Sequence, residues 1–216
     1  MSKPRSGSSP RYAICRYPTT LIDIWRNERG EQFILRPVLP QDQGLLQDFY
    51  ESLSPRSRRL RFHGAVNGLS PQALAYMSEV DPAKHLALVV AFVSEGVETL
   101  VADARYVVDE TGCGGEFAIA VSDAWQRRGI ASRALTALVK AARLQGLDWL
   151  WGEVLEDNAA MLGLMEQAGF GRSSLAGEGI VRVERSVVQE HPSERARKRG
   201  PRALLAQWLF AGTSYA

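Results

Sequence analysis

Hydrophobic residues recur at two different periods between residues 32 and 187, and the two periods divide this segment into strands and helices. Alternating or continuous apolar runs predict strands at the stretches QFILRPV, HLALVVAFV, ETLVADARYVV and GEFAIAV. Apolar positions three and four residues apart predict helices at the stretches PQDQGLLQDFYESL, SPRSRRLRF, SPQALAYMSEV and from Ala131 to Gly146. The mixture predicts a layered fold of class α/β (α+β).

Serine followed by proline starts two of these helices. Ser54 precedes Pro55, and Ser70 precedes Pro71. A serine hydroxyl accepts a hydrogen bond from the first turn of a helix, and proline suits the first helical position. Gly146 ends the longest helix, because glycine adopts the left-handed conformation that closes helices.

Composition divides the chain into three parts. Residues 1–31 begin rich in Ser, Pro, Gly and Arg, which predicts an N-terminal arm with one short strand. Residues 32–187 contain the predicted strands and helices, and their number suits a single globular domain. Residues 188–216 predict a basic linker followed by a short C-terminal helical tail.

Composition excludes several classes of protein. The formal net charge of +2 does not favour a nucleic-acid binder, and no apolar run is long enough to span a membrane. Cys15 and Cys113 are far apart in the sequence and form no CxxC pair. His63, His85 and His191 are scattered, so we expect no structural metal and a reducing, cytoplasmic location.

The stretch AWQRRGIASRAL, residues 124–135, joins a predicted strand to a predicted helix. Unpaired backbone N–H groups and the helix dipole favour an anion at such a junction. Gly129 has no Cβ to block a ligand, and Arg127 and Arg128 add positive charge. A pyrophosphate group would suit this site. The alternative is a surface loop with two solvated arginines.

The motif QRRGIA, Gln126 to Ala131, fits the Q/R-x-x-G-x-G/A signature of the GNAT superfamily of N-acetyltransferases. The later stretch LDWLWGEVLEDNAAMLGLMEQAGF resembles the fifth strand, the fourth helix and the closing Gly-Phe of that superfamily. The resemblance covers about residues 32–187. It implies a mixed, mostly antiparallel sheet that is flanked by helices and splayed around acetyl-CoA.

Acetyl-CoA is the acyl donor substrate that this resemblance implies. The backbone of Ile119 and Val121 would pair with the pantetheine arm, and Asn158 would contact the cofactor beyond the pyrophosphate. For Asn158 the alternative is a plain helix cap, and both roles can coexist. The implied cofactor-binding residues are Ile119, Ala120, Val121, Gln126, Arg127, Arg128, Gly129, Ile130, Ala131, Ser132 and Asn158.

A narrower resemblance lies upstream. The stretch LRPVLPQDQGLLQDFYESLSPRSRRLRFHG resembles the acetyltransferase domain of bacterial protein lysine acetyltransferases, and Ser52 to Phe62 matches their SLSPxSRxLRF pattern. The resemblance implies a protein acceptor such as an acyl-CoA synthetase. We do not expect the fused synthetase-like region of that subgroup within 216 residues. The four arginines of this stretch form either a solvated face or a grip on an acidic partner: Arg56, Arg58, Arg59 and Arg61.

Acetylation of an amine requires a base. Removing the proton of a free lysine at pH 7 costs about 4.6 kcal/mol, because its pKa is about 10.4. The period of two places Glu116 on one face of its strand beside Ala118 and Ala120, which leaves open space next to the carboxylate. Glu116 could therefore act as general base directly or through one water, and it falls where the resembling enzymes have a catalytic glutamate.

Alternatives remain open at this stage. Glu116 could instead be a solvated strand end, and Asp103 and Glu153 are weaker candidates for the base. Met165 stands where many GNAT enzymes have a tyrosine that protonates the leaving thiolate, so the acid step has no assigned residue. A small-amine acetyltransferase and a noncatalytic acyl-CoA sensor are the alternative functions. The sequence does not fix the oligomeric state.

Overall fold

A computed structural model describes residues 17–64, 68–173, 177 and 179–188. Its strands are β1 (Asp23–Arg26), β2 (Gln32–Pro37), β3 (His85–Ser94), β4 (Val97–Val108), β5 (Gly114–Val121), β6 (Trp149–Leu155), β7 (Gly171–Ser173) and β8 (Ile180–Ser186). Its α-helices are α1 (Gln43–Ser52), α2 (Pro55–Phe62), α3 (Pro71–Ser78), α4 (Ile130–Gln145) and α5 (Ala159–Gln167). Every strand and helix predicted above between residues 32 and 170 is confirmed.

The eight strands form one sheet in the order β1-β2-β3-β4-β5-β6-β8-β7. All neighbours are antiparallel except β5 and β6, which are parallel. The predicted mixed, mostly antiparallel sheet is therefore confirmed. The short strand expected in the N-terminal arm is β1, which pairs with β2 at one edge. The predicted linker and helical tail lie, from residue 189 onward, outside the described residues.

Two hydrophobic cores lie on opposite faces of the sheet. Successive residues of β3 alternate between them, so that Leu88 joins one core and Val89 the other. Helices α4 and α5 cover the first core, and α1, α2 and α3 cover the second. Both faces of the central strands are thus buried, which explains why β3 reads as a continuous apolar run. None of the described helices is long and apolar enough to cross a membrane.

The predicted helix ends are confirmed. The hydroxyl of Ser54 accepts a hydrogen bond from the Ser57 amide, and the hydroxyl of Ser70 accepts one from the Ala73 amide. Gly146 closes α4 in the left-handed conformation, with φ +84°. These caps fix where α2, α3 and α4 begin or end, and therefore which side chains face the sheet.

Strands β5 and β6 pair with each other only over their first three residues. Their pairing runs from Gly114↔Trp149 to Glu116↔Trp151 and then stops. On its other side, β5 remains paired with β4 as far as Val121. In an antiparallel ladder, successive residues of a strand alternate between bonding to the neighbouring strand and facing away from it. The Ser122 amide donates to the Val101 carbonyl. The N–H and C=O groups of Val121 and Ile119, one and three residues earlier, therefore point away from β4 and into the gap. We call this separation of β5 from β6 the fork.

Candidate active site

A cavity of about 710 Å³ occupies the fork. It is bounded by β5, by the loop into α4, by α2 and by the start of α5. Eleven of the twelve predicted site residues line it: Glu116, Ile119, Ala120, Val121, Gln126, Arg127, Gly129, Ile130, Ala131, Ser132 and Asn158. The fold thus brings together residues from β5, from the loop into α4, from α4 and from the start of α5.

The start of α4 is open to a ligand. Helices α2, α3 and α5 each begin with a side chain that accepts a hydrogen bond from their first turn, but α4 has no such cap. Its first intrahelical bond runs from the Arg133 amide to the carbonyl of Gly129, so the amides before Arg133 have no partner within the helix. Gly129 has φ +78°, and a Cβ there would meet no atom within 4 Å. The free amides and the open space suit a phosphate group.

Arg128 is the predicted residue that does not line the cavity. Its guanidinium lies over the ring of Trp125 at 4.7 Å and forms an ion pair with Glu31 at 3.7 Å. Arg127, with φ +59°, turns the chain so that the two neighbouring arginines point in different directions. Of the two, only Arg127 lines the cavity.

Gln126 links three parts of the site. Its side-chain amide donates to the carbonyl of Val121 at 3.1 Å and lies 3.2 Å from the hydroxyl of Ser57. The Val121 backbone is one of the groups that, by the GNAT resemblance, would pair with the pantetheine arm. The first residue of the predicted signature therefore contacts both the open edge of β5 and helix α2.

Helix α2 lies across the fork and is fastened at both sides. The carboxylate of Asp123 accepts hydrogen bonds from the Ser54 amide at 2.9 Å, the Ser54 hydroxyl at 2.8 Å and the Ser57 hydroxyl at 2.7 Å. Partial burial alone would raise the pKa of Asp123, but these hydrogen bonds outweigh it and lower the pKa. On the far side, Arg59 pairs with Asp157 in the loop after β6.

Glu116 stands at the point where the fork begins. It is the last residue of β5 that pairs with β6, opposite Trp151, and only 4% of its surface is exposed. The interpretation of Glu116 as a solvated strand end is therefore wrong. Tyr76 lies within its electrostatic reach. Burial raises the pKa of Tyr76, the charge of Arg105 opposes this, and the negative charge of Glu116 adds to the increase. Glu116 lines the cavity on the same face of β5 as Ala118 and Ala120.

Three further ionisable side chains line the cavity, although the sequence did not predict them as main site residues. His63 ends α2 with φ +55°, and burial followed by the charge of Arg61 lowers its pKa, although it also bonds to the backbone of Glu153. Burial raises the pKa of Glu153, against the opposing charge of Arg182. Arg61 is buried rather than solvated. No signal in the sequence separates Arg61 from the other arginines of α2, because its burial depends on how α2 lies across the fork.

Asp103, a weaker candidate for the base, and Met165, at the position of the usual tyrosine, do not line the cavity. Asp103 is fully buried and accepts hydrogen bonds from Arg105 and Tyr50, which makes it part of a structural network and rules it out as the base at this site. Met165 is 1% exposed and packs in the core that α4 and α5 cover. Its thioether has no proton to give a leaving thiolate. Asn158 lines the cavity and also caps α5 by accepting from the Met161 amide.

The fork between two parallel strands, with an uncapped helix at its mouth, is the splayed sheet that the resemblance to the GNAT superfamily implies. The sequence model of the Acetyltransferase (GNAT) family matches residues 46–170. The chain belongs to this family.

Two curated proteins have sequences similar to part of this chain. Acetyltransferase Pat of Mycolicibacterium smegmatis is 35% identical over 142 residues, which is 65% of this chain and 41% of the relative. An acetyltransferase of Pseudomonas aeruginosa is 27% identical over 143 residues, which is 65% of this chain and 76% of the relative. The chain therefore spans less than half the length of the Mycolicibacterium protein.

Solved structures agree with the fold. The GNAT domain of S. lividans PAT superposes with a TM-score of 0.71 at 26% identity, covering 79% of this chain and 99% of that domain. The acetyltransferase yncA of Salmonella typhimurium, solved with its cofactor acetyl-CoA, superposes with a TM-score of 0.59 at 16% identity, covering 76% and 99%. The second likeness supports the fold alone.

Proposed function

We propose that this enzyme transfers the acetyl group of acetyl-CoA to lysine side chains of a protein, with Glu116 as the general base. The observation that carries the proposal is the position of Glu116, buried at the start of the fork and lining the cavity. Similarity to Acetyltransferase Pat and to the S. lividans PAT domain supports a protein acceptor. An acyl-CoA synthetase is the acceptor that the SLSPxSRxLRF resemblance favours.

The open start of α4 would hold the donor. The first-turn amides of Ile130, Ala131 and Ser132 would bind the pyrophosphate, where the helix dipole adds to their attraction. The peptide groups of Ile119 and Val121 would pair with the pantetheine arm. Since the Gln126 side chain already donates to the Val121 carbonyl, we expect Gln126 to move or to share that acceptor when acetyl-CoA binds.

The reaction exchanges one bond and takes two protons from the lysine nitrogen. Glu116 would accept the first proton from the ammonium, directly or through a water, and the cost of the neutral amine, about 4.6 kcal/mol at pH 7, is part of the barrier. The neutral nitrogen then attacks the thioester carbonyl carbon, the C–S bond breaks, and the second proton leaves the nitrogen as the amide forms. A thiolate with a pKa of about 8.5 is an adequate leaving group, so water can relay that proton to the sulfur although position 165 is a methionine and not a tyrosine. Positioning of the two substrates would supply much of the rate.

The charges of the cavity do not favour a small amine as acceptor. We expect a site for such an amine to be narrow and acidic. Here the four carboxylates that line the cavity, Glu116, Asp123, Glu153 and Asp157, share it with the guanidinium groups of Arg56, Arg61 and Arg127. Asp123 and Asp157 already bond to α2. A noncatalytic acyl-CoA sensor is not favoured either, because such a sensor has no use for a buried carboxylate beside the site of the thioester.

Substitution of the carboxylates tests the proposal. Acetyl-CoA consumption is measured with purified acyl-CoA synthetases and small amines as acceptors, and modified lysines are located by mass spectrometry. We expect Glu116→Gln to lower the rate of lysine acetylation by about a hundredfold or more, while acetyl-CoA binding is unchanged. Glu153→Gln tests the second carboxylate of the cavity, and Glu110→Gln, in an exposed turn, is the control. Full activity of Glu116→Gln, or transfer to small amines alone, would contradict the proposal.

A further inference from the structure

Arg61 differs from the other arginines of α2. Arg56 and Arg59 are exposed and Arg58 is half-buried, whereas only 9% of Arg61 is exposed. Arg61 also lines the cavity. The sequence gives no reason to separate these four side chains, so their different burial follows from the way α2 lies across the fork.

The guanidinium of Arg61 is incompletely hydrogen-bonded, although, against the effect of burial and together with Arg105, its charge lowers the pKa of the nearby Asp103 carboxyl. Its Nε and Nη2 atoms are buried and have no hydrogen-bond acceptor among the residues that the structure describes. The ring of Phe62, 5.0 Å away, contacts the guanidinium but accepts no conventional hydrogen bond. The oxygens of Asp103, on the same side of the sheet, already accept from Arg105 and Tyr50. Buried cations in proteins are normally paired with an anion, so an anion is expected to complete this group.

The position of Arg61 indicates which substrate brings that anion. The Ser54 and Ser57 end of α2 is bonded to the loop that would hold the pyrophosphate. Arg61 lies at the other end of α2, next to His63, which bonds to the backbone of Glu153 on β6. The donor phosphates would therefore be bound away from Arg61, and the acceptor would approach it.

We propose, resting on the proposed function, that Arg61 binds a carboxylate that the acceptor carries close to its reactive amine. The planar guanidinium presents parallel N–H groups that match a carboxylate. An acceptor without an anion would instead bring its ammonium group towards a buried cation, which repels it. Two sources share this chemistry: an acidic residue beside the target lysine of a protein, and the carboxylate of a free amino acid.

Matched acceptors test this inference and distinguish the two sources. The first comparison uses two lysine peptides that differ only in having Glu or Gln next to the lysine. The second compares free lysine with 1,5-diaminopentane, which has the same two amines but lacks the carboxylate. The value of kcat/KM is measured for each acceptor with the wild type, Arg61→Lys, Arg61→Gln and Arg172→Gln. Arg172 is exposed on β7 and does not line the cavity, so its substitution controls for the loss of one positive charge.

We expect the wild type and Arg172→Gln to prefer the Glu peptide by about tenfold, the effect of one hydrogen bond between charged groups. Arg61→Gln is expected to abolish the preference, and Arg61→Lys to retain part of it. Thermal unfolding and acetyl-CoA binding of the Arg61 variants, expected to match the wild type, separate loss of preference from loss of fold. A preference for lysine over diaminopentane without a peptide preference would assign the carboxylate to a free amino acid.

Each contrary outcome has a distinct meaning. Acetylation of both peptides at equal rates by the wild type, with no preference for lysine over diaminopentane, would overturn the inference and leave the proposed function intact. A preference that survives in Arg61→Gln would overturn it too, because another group would then bind the carboxylate. Failure of the wild type to acetylate any acceptor of this set or any protein would overturn the inference and the proposed function together.

Discussion

Gly129 and Gly146 lie at the two ends of α4 in the same left-handed conformation, with φ of +78° and +84°. A Cβ would meet no atom within 4 Å at either position, so the two differ only in surroundings. Gly129 lines the cavity and Gly146 does not. We expect Gly129→Ala and Gly146→Ala to lower the free energy of unfolding by a similar amount, about 1 kcal/mol, because of the positive φ.

Only Gly129→Ala is expected to weaken acetyl-CoA binding, because its methyl group would stand where the pyrophosphate approaches the helix. Isothermal titration of acetyl-CoA measures this, with chemical denaturation as the stability readout. Equal affinities of the two variants would show that the start of α4 is not the anion site.

His85 predicts a pH-dependent stability. Burial and then the charge of Arg105 lower its pKa to about 3, below the value of about 6.5 in the unfolded chain. The unfolded chain therefore binds more protons between these values, and the contribution of His85 to stability is lost as the pH falls. From pH 7 to pH 5 we expect a loss of about 2 kcal/mol.

The variant His85→Gln keeps an acceptor for Arg105 but has no group that titrates in this range. Denaturation curves at a series of pH values should therefore be flatter for His85→Gln than for the wild type. His63, whose pKa is also lowered, acts with the same sign and remains in both proteins. Parallel curves would mean that another group dominates the pH dependence.

Among individual residues, the sequence predicted some that line the cavity but not others. Glu116 was found because the strand period places it beside Ala118 and Ala120, and local spacing is enough for that inference. His63 and Arg61 were missed because their position depends on how α2 crosses the fork. That placement results from contacts with residues about 65 and 95 positions further along the chain, Asp123 and Asp157.

Among the elements, α2 depends on its fastening to the loop before α4. Asp123 accepts three hydrogen bonds from Ser54 and Ser57, whereas Asp157 forms a single exposed pair with Arg59. We expect Asp123→Asn to raise the KM for the acceptor several-fold and to lower the free energy of unfolding by about 1 kcal/mol. Asp157→Asn removes the same charge, but an exposed pair contributes about 0 to 1 kcal/mol.

Steady-state kinetics with varied acceptor and hydrogen exchange of the α2 amides measure the difference between these variants. Faster exchange in α2 is expected for Asp123→Asn and not for Asp157→Asn. Indistinguishable kinetics and exchange would mean that packing of Phe62 and Leu53 against the sheet, rather than the Asp123 contacts, holds the helix.

The elements themselves were largely predictable. Hydrophobic period, the Ser54 and Ser70 caps and Gly146 act within a few residues, so they appear in the sequence as they do in the structure. Strands β7 and β8 were not predicted individually. The first has only three residues, and charged residues such as Arg182 and Glu184 interrupt the apolar pattern of the second. Their pairing depends on the neighbouring strand rather than on local preference.

For the whole molecule, binding and stability are linked. A ligand that binds only the folded state at a hundred times its Kd adds about 2.7 kcal/mol to the free energy of unfolding. For a chain of this size we expect acetyl-CoA to raise the Tm by roughly 5 to 10 °C. Thermal melts of the wild type and Glu116→Gln should show the same increase, since we expect the proposed base not to bind the donor. Loss of the increase in Glu116→Gln would assign Glu116 to donor binding.

The fork has a consequence for the molecule without its donor. Only three residue pairs join β5 to β6, so the two halves of the sheet are connected over a short distance. The pantetheine arm carries two amide groups, like a dipeptide, so if it binds along β5 as proposed it would take the place of a missing strand. Acetyl-CoA would then stabilise the sheet as well as react. Both the rigidity of β6 and β8 and the readiness of the enzyme for transfer should rise and fall with the concentration of free acetyl-CoA.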